Sequence, residues 1–232
     1  MDYTAIDFET ASSEPTSACS IAAVVVQDNI VVEKFYTLIK PPPKTQFLNF
    51  CTKVNGITRE MTEAAPDFPA VWGRLAHLLV GRLVVAHNAA FDMRVLEAML
   101  RYYDIPVPDF CYACTVKLSR MAWPQLPSHK LDAIGDFLNV QFNHHHALED
   151  SIACAAIPVA AGRATGYNSF LIMADKLGVT VRKFPPEPKE PKEVREARKK
   201  EAWLKRRAER LAKNDNDKKE KSAKLINDNQ II

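Results

Sequence analysis

A chain of 232 residues that is 47% hydrophobic can build one domain of ordinary size with an appendage, but not two domains and a linker. It holds no apolar run of 18 or more residues and opens on a strand-like segment without a basic region followed by an apolar one, so the expectation is a cytoplasmic protein with no membrane partner. The net charge of +3 conceals an asymmetry: residues 1–182 carry 15 Lys+Arg against 18 Asp+Glu, a net of −3, whereas residues 183–232 carry 16 against 10, a net of +6.

The segment Tyr3–Phe8 reads as a strand, and Ile21–Val26 and Ile30–Ile39 as two more, which predicts a three-stranded antiparallel opening. Pro41-Pro42-Pro43 stops the third strand, because proline cannot donate to a ladder, and a loop follows. Phe68, Val71, Leu75, Leu78 and Leu79 recur at helical spacing, Leu83–Ala86 is a short apolar strand, and Phe91, Val95, Met99 and Leu100 resume the helical period before Pro106. Further helices are predicted at Val116–Met121, Leu131–Leu138 and Ala147 to about Ala164. The fold class is therefore α/β, a mixed sheet with helices on both faces, in a domain spanning residues 1–168. Residues 169–191 form a connecting segment, with a candidate helix at Phe170–Leu177 and prolines at 185, 186, 188 and 191 marking a linker. Residues 192–232 read as a basic tail. Its first part, to Lys213, is a solvated helix with i,i+4 pairs such as Glu196/Lys200, Glu201/Lys205 and Glu209/Lys213, and disorder is expected beyond Asn214.

Five cysteines, Cys19, Cys51, Cys111, Cys114 and Cys154, are an odd number and argue for reduced thiols over a disulfide framework. Cys111-x-x-Cys114 has no second pair at zinc spacing, so ordinary half-buried thiols are expected there.

Asp7 and Glu9 lie two apart at the end of the first strand, so both side chains share one sheet face. The neighbours Ala5, Ile6 and Phe8 mark the strand as buried, and paired carboxylates in such a place repel unless a cation joins them. Asp92 stands in the first turn of a helix that follows a buried strand, where an acid suits the helix dipole and where open α/β sheets also place their sites. In His144-His145-His146-Ala147-Leu148-Glu149-Asp150, a core-facing Asp150 needs a partner, and a metal shared with Asp7 and Glu9 would supply it. Glu149 falls about 100° away around the helix and reads as the solvated acid. The histidine run has three readings, a flexible polar loop, a Cys/His metal tract, or a loop that delivers one imidazole to the site, and with no partner cysteine nearby the zinc reading is the poorest.

Taken together these motifs resemble the DEDDh exonucleases, the DnaQ-like family to which the proofreading epsilon subunit of bacterial DNA polymerase III belongs. Asp7-Phe8-Glu9-Thr10 is similar to the first motif, His87-Asn88-Ala89-Ala90-Phe91-Asp92 to the second, and His145-x-Ala147-x-x-Asp150 to the third. Val54-Asn55-Gly56-Ile57-Thr58 and Ser128-His129-Lys130-Leu131-Asp132 add to the likeness, which covers residues 1–165 and not the tail.

The resemblance implies a ribonuclease-H-like fold and hydrolysis by two divalent ions, Mg²⁺ or Mn²⁺. In that scheme Asp7 bridges both ions, Glu9 and Asp150 complete one, Asp92 supports the other, and His145 deprotonates the attacking water. It further implies that Thr10 and Ala11 line the 3′-terminal nucleotide, that Asn55 and Ile57 lie near its base, and that His87, Asn88 and Phe91 shape the pocket. Phe8 and Ala11-Ser12 depart from the common Asp-Thr-Glu-Thr-Thr-Gly pattern, and Asn55 stands where many relatives have His.

The expected function is 3′-5′ exonuclease action on DNA ends in repair, processing or proofreading, with RNA 3′-end trimming and an inactive nucleic-acid-binding scaffold as the rival readings. An acidic domain that must approach phosphates needs cations, and bound metals and the basic tail are the two sources. The tail is accordingly a candidate DNA grip or a tether to a polymerase or other DNA-processing machine.

Overall fold

The computed structural model describes residues 1–185 and 196–207. Met1–Glu187 forms one compact unit and Pro188–Ile232 a second. The first unit opens with β1 (Tyr3–Thr10), β2 (Ala18–Gln27) and β3 (Ile30–Leu38), the antiparallel meander predicted from the sequence. The stretch read as a loop after Pro43 contains two short helices, α1 (Asn49–Asn55) and α2 (Arg59–Glu63). At 7 and 5 residues they are too short to show a helical period. Then come α3 (Phe68–Leu79), β4 (Leu83–Ala86), α4 (Ala90–Tyr102), β5 (Phe110–Cys114), α5 (Thr115–Ala122), α6 (Leu131–Leu138) and α7 (Ala147–Thr165).

The chain continues through α8 (Phe170–Leu177) and β6 (Arg182–Phe184), so the compact unit extends past residue 168. β6 adds antiparallel to β5, and Phe184 stacks on Phe110 with ring centroids 4.6 Å apart. The sheet order is β3-β2-β1-β4-β5-β6, with β1, β4 and β5 parallel to one another.

Alternation along β1 divides the core. Ile6 and Phe8 pack with α3 and α4 on one face, whereas Tyr3 and Ala5 pack with the helices α5 to α8 on the other. Asp7 and Glu9 share the parity of Tyr3 and Ala5, so they face the layer that contains α7. Tyr3 fixes that helix by donating its hydroxyl to the Ala155 carbonyl at 2.5 Å, and Ser151 donates to the Ala22 carbonyl at 3.4 Å. These bonds, with the apolar positions around them, hold the start of α7 over the middle of the sheet.

In the second unit, residues 196–207 are helical and mostly exposed. The remaining expectations for the tail, including the Glu209/Lys213 pair and disorder beyond Asn214, lie outside the described residues. Among the described residues no helix is long and apolar enough to cross a membrane.

Candidate active site

β1 pairs with β4 only at Thr4 and Ala5, so its last four residues, Asp7–Thr10, run past the carboxyl end of β4 and leave a crevice beside them. The Phe8 N–H on that exposed edge has no ladder partner in β4, and the Asp92 carboxylate accepts it at 3.1 Å. Asp92 is 1% exposed. Its place in the first turn of α4 is therefore not explained by the helix dipole alone, because the side chain is turned inward to fasten α4 to β1. On the other side of β1 a register shift falls between Glu9 and Thr10, a bulge of the kind that re-aims side chains beside functional sites.

Asp7, Glu9 and Asp150 each bring a carboxylate oxygen to within 4.8 Å of the others. Asp92 is not in that tight group but adds its charge to the same cluster. Oδ2 of Asp7 and Oδ1 of Asp150 are buried and accept no hydrogen bond. His144 Nδ1 comes within 3.4 Å of that same Asp150 oxygen, an ion-pair distance without hydrogen-bond geometry. His145 donates its backbone N–H to the other Asp150 oxygen at 3.0 Å, and both histidine rings reach the neighbourhood of Asp150. His146 instead packs its ring on Tyr36 at 4.8 Å. Glu149 accepts from the Asn143 backbone N–H and, at 3.0 Å, from its side chain, and so stays outside the cluster as the helical spacing predicts.

The electrostatics follow from this crowding. Burial first, and then the charges of Asp92, Glu9 and Asp150, hold the Asp7 carboxyl well above the usual carboxylate range. Burial pushes Glu9 up to about 7, with Asp150 and Asp92 adding to the effect and the Asn55 amide opposing it. Asp92 is raised by burial against the pull of the Phe8 N–H, and Asp150 is raised by burial against the pull of His144. Four acids gathered from three separate segments cannot all ionise here without a cation. Partnerless buried oxygens and an all-oxygen donor set fit a hard divalent ion such as Mg²⁺ or Mn²⁺.

The residues expected near a terminal nucleotide divide into two groups. Thr10 and Ala11 lie at the end of β1, where Ala11 packs with Ile57 and Cys19. Asn55 donates to the Thr10 carbonyl at 3.1 Å and to Glu9 Oε2 at 3.3 Å, and its own carbonyl accepts the Ile57 N–H at 3.0 Å. Asn55 thus clamps a cluster carboxylate as well as lining the flank, a role that the sequence alone did not reveal. Across β1, Asn88 adopts φ +75°, a left-handed conformation that asparagine tolerates, and Phe91 packs against the core between β1 and α4.

His87 is committed internally. Its Nε2 lies 3.0 Å from the His129 carbonyl, which can only accept, so Nε2 carries the proton and Nδ1 accepts the Thr115 hydroxyl at 2.9 Å. The Cys154 thiol completes the chain at 3.5 Å from Thr115 Oγ1. Burial pushes the His87 imidazole down to about 4, in keeping with a neutral ring. This network joins positions 87, 115, 129 and 154 by tertiary contact alone, and nothing in their spacing announces it. The five cysteines are free thiols, as expected.

Residues 4–157 match the RNase_T exonuclease family model. The chain belongs to that exonuclease family. The exonuclease domain is 30% identical over 159 residues to DNA polymerase III PolC-type from Caldanaerobacter subterraneus subsp. tengcongensis, a stretch that is 67% of this chain and 11% of that protein. It is 30% identical over 147 residues to the 3′-5′ exonuclease DinG of Bacillus subtilis, which is 62% of this chain and 16% of that protein. The chain therefore spans only a small part of the curated relatives it matches.

Among solved structures, exonuclease X in complex with 5′ overhanging duplex DNA superimposes with a TM-score of 0.61 at 27% identity, covering 76% of this chain and 99% of that one. Escherichia coli exonuclease I in complex with a dA16 oligonucleotide gives a TM-score of 0.62 at 17% identity, over 75% of this chain and 42% of that one, and shares the fold. The mixed six-stranded sheet flanked by helices is the ribonuclease-H-like fold of these exonucleases.

Proposed function

We propose that the chain is a metal-dependent exonuclease that removes nucleoside monophosphates from 3′ ends of DNA, single-stranded ends or overhangs in particular, in repair, end-processing or proofreading. The observation that carries this reading is the convergence of Asp7, Glu9 and Asp150 within 4.8 Å, with buried oxygens on Asp7 and Asp150 that accept no hydrogen bond. Family membership supplies the reaction class, and the likeness to exonuclease X bound to duplex DNA with a 5′ overhang supports DNA as substrate.

Asp7 would hold both ions, Glu9 and Asp150 one of them, and Asp92 would support the other. Two divalent ions, when bound, stabilise the charge on the attacking and leaving oxygens of an in-line displacement. The protein's own contribution begins with holding the carboxylates in place: the Phe8 N–H fixes Asp92, Asn55 fixes Glu9, and the His145 N–H fixes Asp150. His145 then takes the proton of the attacking water as general base. Thr10, Ala11, Asn55 and Ile57 form one flank for the terminal nucleotide, and His87, Asn88 and Phe91 form the other. His87 acts there through shape, because both of its ring nitrogens are already bonded. For the basic tail the proposed partner class is a polymerase or other DNA-processing protein, since the PolC-type relatives carry their matching segment inside a polymerase chain.

The test is a time course on a 5′-labelled single-stranded DNA beside the same strand as RNA, in Mg²⁺ and in EDTA. The expected result is a ladder that shortens from the 3′ end, faster on DNA, and absent in EDTA. Faster shortening of the RNA would make the chain an RNA-trimming enzyme, and cleavage of neither strand would contradict the proposal.

A further inference from the structure

Beside the carboxylate cluster lies a cleft of about 770 Å³ that shares His87, Asn88 and His145 with the site already described and extends beyond them to Arg120, Ser128 and Lys130, which have no role so far. His144 and His145 line its inner end, and Arg120 of α5, with Ser128 and Lys130 from the loop before α6, lines its outer wall. We propose that this cleft binds the phosphodiester backbone of the strand on the 5′ side of the scissile bond, with Arg120 and Lys130 as its phosphate-binding cations. The inference rests on the exonuclease reading and adds to it the path of the strand.

Topology gives the first argument. Ala11, packed with Cys19 of β2, and the Asn55–Ile57 clamp lie on the β2–β3 flank of β1. The cleft is bounded by His87 and Asn88, which follow β4, and by Val116 and Arg120 of α5, which follows β5, so it lies on the opposite flank in the order β3-β2-β1-β4-β5. A strand whose terminal base rests on the first flank and whose scissile phosphate lies at the carboxylates leaves by the second.

Charge gives the next argument. Residues 1–182 carry a net of −3, and four acids crowd the reaction centre, so phosphates upstream of it are repelled unless cations are fixed in their path. Arg120 and Lys130 are exposed, and neither is in an ion pair among the described residues, whereas Asp132 is the one carboxylate in the lining and its Oδ1 accepts the Ala133 N–H at 2.8 Å.

Rigidity gives the third. The loop bearing Ser128 and Lys130 is tied down through His129, whose carbonyl accepts the His87 Nε2–H at 3.0 Å and whose Nδ1 lies 3.1 Å from the Ser119 hydroxyl. A wall held on both sides presents its cations without first ordering a loop.

The experiment measures binding of a 5′-fluorescent 12-nucleotide oligothymidylate to the full chain in Ca²⁺, by anisotropy, across a series of KCl concentrations. Each phosphate contact to a single strand contributes about 0.7 to the slope of log affinity against log salt. The Arg120→Gln/Lys130→Gln double variant is expected to lose about 1.4 from the magnitude of that slope, and Arg120→Lys/Lys130→Arg to retain it. In Mg²⁺ the rise in kcat/KM from a dinucleotide to an octanucleotide substrate is expected to shrink in the double Gln variant. An unchanged slope in that variant, with the circular dichroism of the wild type, would overturn the proposal. Absence of hydrolysis in the wild type would instead count against the exonuclease reading, while the binding slope still reports on the cleft.

Discussion

Replacing Asp7 with Asn is expected to abolish hydrolysis and at the same time to raise the thermal midpoint of the metal-free protein. The two effects have one cause. Asp7 sits in the carboxylate cluster, with a buried oxygen that no hydrogen bond satisfies and with burial first, and then Asp92, Glu9 and Asp150, raising its pKa. Without metal its charge opposes folding. With metal the same charge is the group that would join both ions, so its loss removes several kcal/mol of transition-state stabilisation, or about three or more decades in rate.

The pH dependence follows from the direction of the shifts. Asp7, Glu9, Asp92 and Asp150 all have folded-state pKa values above those of the unfolded chain, with Glu9 at about 7. Between about pH 4 and pH 7 the folded state therefore holds more protons than the unfolded one, and stability in EDTA falls as pH rises through that window. Mg²⁺ favours the ionised carboxylates and reverses the fall. Differential scanning calorimetry in EDTA should show Asp7→Asn above wild type by about 3 °C or more at pH 8 and by little at pH 4, since each kcal/mol moves a domain of this size by about 2–4 °C. A variant that melts below wild type in EDTA at pH 8 would mean that Asp7 stabilises the fold directly and that the account of the cluster is mistaken.

His145→Ala is expected to lower kcat by about 10²–10⁴-fold while leaving the Mg²⁺-induced rise in thermal midpoint intact. This combination separates a proton-transfer residue from a metal-holding one, for which both quantities fall together. The three adjacent histidines make the comparison informative. His144 Nδ1 lies 3.4 Å from Asp150 Oδ1, His145 binds Asp150 through its backbone N–H, and His146 packs its ring, tilted, against Tyr36. Single alanine variants at all three positions, followed by steady-state kinetics and melting in Mg²⁺, distinguish them. Near-normal turnover in His145→Ala together with loss in His144→Ala would transfer the general-base role to His144.

Much of this was legible in the sequence because local patterns carried it. The meander opening, the helices at α3, α4, α6 and α7, and the strand Leu83–Ala86 all follow from hydrophobic period and turn residues. The carboxylates were legible because a buried strand carrying two acids, and an apolar helix with an inward acid, conflict with packing unless something compensates. Short elements without a continuous aliphatic run like that of Leu83–Ala86 were not legible. β5 is five residues between a proline-containing loop and a helix, β6 is three, and α1 and α2 lie in a segment whose prolines suggest only a loop. For the same reason residue 168 falls short of the end of the compact unit: β6 is recognisable as part of the domain only through its pairing with β5 and the Phe184–Phe110 stack.

Side-chain contacts between distant segments were likewise beyond the sequence. The bond from Phe8 to Asp92 and the chain through His87, Thr115, His129 and Cys154 depend on the sheet order, which no single segment encodes. Asn55 shows the same limit in a motif that was recognised: its position suggested a place near the base, and only the folded chain reveals its grip on Glu9.

The central claim is that Asp7, Glu9, Asp92 and Asp150 form a divalent-metal site. Calorimetric titration of the metal-free chain with Mn²⁺ at pH 8 tests it most directly. Two ions per chain are predicted, with proton release on binding and with both ions weakened in Asp7→Asn. Binding of Mn²⁺ that is the same in Asp7→Asn as in the wild type would contradict it.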